Sequence, residues 1–101
     1  MQTLTAQERT ELRRQAQSIR PIVRIGNAGI TDAIVDQVRV ALKKHRVMKA
    51  RIRGRDRDET EHMARELCRR VPCQLVARTG FVAVLYSGEP VTGIPAGKEI
   101  A

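Results

Sequence analysis

The chain has 101 residues, enough for one domain with a single modest core, and its 42% hydrophobic content argues against compositional disorder. Nineteen basic residues face eleven acidic ones, a formal net charge of +8, and fifteen of the nineteen are Arg, the side chain that forks onto phosphate. Phe81 and Tyr86 are the only residues of the Phe, Trp and Tyr class, which weighs against modules that stack several bases on one aromatic face, and no run approaches the roughly 18 apolar residues of a membrane span.

Thr5-Ala6-Gln7-Glu8 has the form of a capping box. Leu12, Ala16 and Ile19 then recur at helical spacing, predicting a helix over about 5–18. Pro21 forbids easy continuation, because the residue before a proline avoids the helical region. A strand over 21–25 leads directly into Gly26-Asn27-Ala28-Gly29, and Ile30-Thr31-Asp32 signals a helix start. Two glycines three apart allow a sharp turn and close approach of backbone to a ligand. At the positive end of a helix, with unpaired N–H groups nearby, such a turn suits a phosphate.

Thr31 or Asp32 caps the second helix, which runs to about Lys44 with Ile34, Val38, Ala41 and Leu42 inward and Ile30 as a staple. Lys43, Lys44 and His45 crowd its C-terminal end, where positive charge is favourable. The next strand, 47–53, alternates. Met48, Ala50 and Ile52 share one face, and Val47, Lys49, Arg51 and Arg53 share the other. Three consecutive cations on one face cannot be buried unpaired, so that face is expected to be open or near a sheet edge.

Asp58-Glu59-Thr60-Glu61 reads as a second capping box with Asp58 as the cap. The helix it starts runs to about Arg70, with Met63, Ala64, Leu67 and Val71 inward, and Cys68 is expected to be buried as a small apolar residue. After Pro72, strands over 73–78 and 81–86 flank a Thr79-Gly80 hairpin turn. From Ser87 on, glycines and prolines replace the apolar period, so residues 1–86 are expected to form the domain and 87–101 a flexible tail.

The order α-β-α-β-α-β-β, with a right-handed crossover between the first two strands and a final hairpin, defines the fold class. It is an α/β two-layer sandwich with a small four-stranded mixed sheet and helices mainly on one face. No Ser-His-Asp set, nucleophile elbow or Walker-type lysine is present, so no catalytic residue is expected. Cys68 and Cys73 lack two further ligands at zinc spacing, so neither a metal nor a cofactor is expected. Two cysteines are not a disulfide framework, and Met1-Gln2-Thr3-Leu4-Thr5 is unlike a signal peptide; the expected location is the cytoplasm, with reduced thiols.

Three segments resemble the CRM domain (chloroplast RNA splicing and ribosome maturation), particularly its small bacterial stand-alone form, the YhbY proteins. They are the opening helix Leu4-Thr5…Leu12-Arg13…Ala16, the strand-loop-helix Val23 to Thr31, and His45-Arg46-Val47-Met48-Lys49-Ala50-Arg51-Ile52. The hairpin Val76 to Val82 fits the family's late strands, and the resemblance covers residues 1 to about 87. It implies an RNA-binding, non-catalytic protein with a fold similar to the C-terminal domain of bacterial translation initiation factor three. It also implies association with precursors of the large ribosomal subunit, Gly26–Gly29 as the RNA-contacting loop, and Lys49 as the strand lysine. Where the family often carries Lys in or beside the loop, Asn27-Ala28 is neutral. The loop is therefore expected to act through its backbone, with charge from Arg24.

The expected RNA-binding set is Arg24, Gly26, Asn27, Ala28, Gly29, Lys49, Arg51 and Arg53 on a monomer. Arg9, Arg13 and Arg14 either extend that surface or are a solvated helix face. Other readings are a ribosome-associated translation or stress factor and a protein-interaction module with incidental charge.

Overall fold

The computed structural model describes residues 4–88; the expected tail, apart from Ser87 and Gly88, lies outside them. Seven elements follow in order: α1 (Ala6–Ala16), β1 (Val23–Ile25), α2 (Asp32–Lys44), β2 (Val47–Ile52), α3 (Arg57–Arg70), β3 (Gln74–Thr79) and β4 (Val82–Tyr86). The strands form one mixed sheet ordered β1-β2-β4-β3, parallel between β1 and β2 and antiparallel elsewhere.

Helices α2 and α3 cover one face. Met48, Ala50 and Ile52 of β2 join Val23, Ile25, Ala83 and Leu85 beneath Val38, Leu42, Ala64 and Leu67 in the larger core. The period-two pattern of β2 put these residues on one side, and each is nearly or wholly buried. Helix α1 stands alone on the opposite face. Its Leu12 and Ala16 pack on Val76, Val84 and Tyr86, with Val47 at the margin. Burying each large side chain there contributes roughly 1.5–3 kcal/mol.

Arg9 fastens α1 to the sheet. A register shift between Leu75 and Ala77 interrupts the β3–β4 ladder, and the Arg9 guanidinium donates to the carbonyls of Leu75 (3.1 Å) and Val76. A charged donor thereby serves carbonyls at the bulge. Of the helix-one arginines, Arg9 is thus a structural clasp, and Arg14 pairs with Glu11.

Local signals held with small shifts. The Thr5–Glu8 capping box forms in both directions, and Thr31, rather than Asp32, caps α2. Helix α3 starts two residues earlier than expected: Asp56 is its cap, accepting from Glu59 N–H at 2.8 Å, and Asp58 falls in the first turn. The cause is Thr60, fully buried, whose hydroxyl accepts from Gly54 N–H at 3.3 Å and docks the first turn against the end of β2. The hairpin turn is Gly80-Phe81 rather than Thr79-Gly80, since Thr79 pairs with Val82 and Gly80 takes φ +60° at the first turn position. Cys68 is half-buried rather than buried, and Cys73 is the core thiol. Among the described residues, no helix is long and apolar enough to cross a membrane.

Candidate nucleic-acid interface

Helix α1 lies over the β3, β4 and inner β2 part of its face and leaves the β1 side open. Onto that open area the pleat of two neighbouring strands directs cations. In β1, Val23 and Ile25 point into the core, so Arg24 points away from it and is exposed. Parallel register sets Arg24 beside Arg51. The ladder continues past β1, with Arg53 N–H donating to the Ile25 carbonyl at 3.0 Å. Arg53 is thereby carried onto the same face, two residues beyond Arg51. Arg24, Arg51 and Arg53 line, with Ile25 and Gly26, a cleft of about 310 Å³.

These guanidinium groups differ from most others in the molecule. Arg14, Arg39, Arg55, Arg65, Arg69, Arg70 and Arg78 each sit within 4.0 Å of a carboxylate. Arg24, Arg51, Arg53 and Lys49 are in no such pair. Like charges placed side by side on adjacent strands are destabilising. An unneutralised group of this kind is a cost to folding that a bound polyanion would relieve. Lys49 is less open: its cross-strand neighbour is Val84, beneath α1, and it is half-buried at the edge of that helix's cover.

The Gly26–Gly29 turn adjoins the cleft directly. Gly29 N–H donates to the Gly26 carbonyl at 3.0 Å and closes the turn, leaving Asn27 and Ala28 exposed at its tip. Gly29 has φ +75°, a conformation that favours glycine. Gly26 has no such requirement, and a Cβ built on it meets nothing within 4 Å. Packing within the protein therefore does not explain glycine at 26.

The α2 N-terminus is less available than the spacing predicts. Thr31 N–H donates to the Gly29 carbonyl at 3.1 Å, and Ile34 N–H donates to the Thr31 hydroxyl at 3.2 Å. Asp32 already places a carboxylate in the first turn, held by Arg70 at 2.6 Å. Backbone donors for a phosphate thus come from the turn's exposed tip more than from the helix end. Arg70 also donates to the Ile30 carbonyl at 2.5 Å, so the loop exit is clamped by α3. Nothing in the sequence links position 70 to positions 30 and 32; Arg70 reads locally as a cation at a helix C-terminus. Among the described residues, no cluster of three or more His, Cys, Asp or Glu is placed to hold a metal.

The family model described as the CRS1 / YhbY (CRM) domain matches residues 4–87. An "RNA-binding protein" of Haemophilus influenzae is 27% identical over 86 residues, 85% of this chain and 87% of that one. A "Probable RNA-binding protein" of Bacillus subtilis is 28% identical over 83 residues, 82% and 86% of the two chains. The solution structure of a Staphylococcus aureus protein, described as hypothetical and a candidate for RNA binding, superposes with a TM-score of 0.74 at 27% identity. It covers 83% of this chain and 88% of its own.

Proposed function

The chain belongs to the CRS1 / YhbY (CRM) domain family, and we propose that it is an RNA-binding protein that acts by binding rather than by catalysis. The observation that carries this reading is the set of exposed arginines Arg24, Arg51 and Arg53, without carboxylate partners among the described residues, beside an open glycine turn. Guanidinium groups fork onto phosphate oxygens, and Gly26 lets the sugar-phosphate chain approach without a side chain in the way. Lys49 adds charge from the flank. The names of the relatives support the same partner.

Phosphate contacts position an RNA but do not read its sequence. Tyr86 is buried and Phe81, at the hairpin tip, is exposed, so of these two rings only Phe81 is open to a base. The proposed ligand is accordingly a structured RNA recognised by shape. The ligand we propose is precursor RNA of the large ribosomal subunit, bound during assembly in the cytoplasm by a monomer.

The test is affinity for a structured ribosomal RNA fragment as a function of salt. Replacing Arg24, Arg51 or Arg53 by Gln should each reduce the slope of log K against log salt by about one and weaken all RNAs alike. An unchanged slope in the triple variant would remove these residues from the site. Co-sedimentation with immature large subunits is the expected cellular outcome; exclusive association with mature ribosomes would instead favour a translation or stress factor.

A further inference from the structure

Cys68 lies in the last turn of α3, and Cys73 follows Pro72 at the entrance to β3. The chain reverses between them, so that the Cys73 thiol donates to Cys68 Sγ at 3.5 Å. The proposed RNA site includes neither. They differ in access, because Cys73 is 3% exposed within the core and Cys68 is half-buried at its margin. We propose that Cys68 and Cys73 form a hydroperoxide-reactive dithiol, with Cys68 as the attacking sulfur and Cys73 as the resolving one, closing to an intramolecular disulfide.

Geometry carries the assignment. The sulfurs are already in contact, and a bond of about 2.05 Å requires a further approach of only about 1.5 Å. Burial gives the order, since Cys68 is half-buried at the core margin whereas Cys73 is enclosed within it. Electrostatics agree. The hydrogen bond from Cys73 and the Arg65 guanidinium both hold the Cys68 thiol below its ordinary pKa, against burial, while donating that bond and burial push Cys73 up.

In the first step the Cys68 thiolate attacks one peroxide oxygen, and the O–O bond breaks. Cys68 becomes a sulfenic acid, and the other oxygen leaves as water or an alcohol after taking a proton. In the second, Cys73 sulfur displaces the hydroxyl from Cys68 sulfur, and its proton leaves with that hydroxyl as water. Two thiols lose two electrons in all, and the peroxide gains them.

The test treats the full chain with stoichiometric hydrogen peroxide, followed by denaturation and thiol alkylation. The expected result is a single chain lighter by two hydrogens, with no alkylated cysteine, and recovery of both thiols on reduction. Cys73→Ser should stop at a sulfenic acid captured by a 1,3-dione, and Cys68→Ser should remain unoxidised over the same period. Two alkylatable thiols after peroxide, disulfides between chains, or a Cys68→Ser variant that reacts as fast as the parent would each overturn the proposal. The experiment on the unaltered chain decides it even if either variant fails to fold.

Discussion

Arg70 and Asp32, 38 positions apart in the chain, are joined by an ion pair of 2.6 Å that ties the end of α3 to the start of α2. The same guanidinium holds the Ile30 carbonyl, so α3 anchors the exit of the glycine turn. The Asp32 side chain is 96% exposed, which makes the ionic part weak, and the bond to the backbone is the structural one. Asp32→Asn should therefore change stability by less than about 0.5 kcal/mol. It should tighten RNA binding by roughly two- to fivefold at low salt, because a negative charge beside the turn is lost. Arg70→Ala should weaken both stability and RNA affinity. Paired denaturation and RNA titrations of the two variants check the contrast, and equal effects from both would disprove it.

The two glycines of the turn make different predictions. Gly29→Ala forces a side chain into positive φ and should cost about 1 kcal/mol of stability. Gly26→Ala meets no atom within 4 Å and should leave the denaturation midpoint unchanged. Gly26→Ala should still lower RNA affinity several-fold, because the added methyl group holds the RNA away from the backbone. Gly29→Asp should weaken RNA binding further while the fold survives. Unaltered binding by the folded Gly26 and Gly29 variants would exclude the turn from the interface.

Gly54 is required for packing rather than for a ligand. A Cβ there would lie 2.7 Å from Thr60 Oγ1 and 2.8 Å from Thr60 N, and the backbone atom cannot rotate away. Gly54→Ala should destabilise the protein by about 2–3 kcal/mol by displacing the first turn of α3. A chemical denaturation curve measures this, and a shift under about 0.5 kcal/mol would show that the α3 start can move freely.

Glu61 supplies an acid-sensitive contribution. The hydrogen bond from Arg78 at 2.6 Å holds its carboxyl below the ordinary value of 4.5. A carboxyl more acidic in the folded state than in the unfolded one stabilises the fold above that ordinary value. The contribution is lost as pH falls through the folded-state pKa. Glu61→Gln should lower stability at neutral pH by roughly 1 kcal/mol and flatten the decline of stability below about pH 4.5. Parallel pH series of the midpoint for parent and variant check it; identical slopes in acid would count against the pair.

Much of this protein is written in short stretches of its chain. The Thr5–Glu8 capping box, the alternation of β2 and the glycine turn each depend on a few neighbouring residues, and each forms where the spacing placed it. The start of α3 is not legible locally, because Asp56 and Asp58 are both competent caps and the choice belongs to Thr60 docking on Gly54. Helix α1 on the far face was not legible either. Its narrow apolar stripe says that it packs, but not on which side of a sheet.

The element order, the inward residues of β2 and the excess of arginine can all be read along the chain, because periodicity and composition are local properties. Which arginines remain without carboxylate partners among the described residues is set by how the elements pack. Strand order brings Arg24 beside Arg51, α1 stops short of them, and α3 sends Arg70 to Asp32 and Arg78 to Glu61. Whether a charge is neutralised depends on what lies within a few ångströms in space, and sequence separation does not encode that distance.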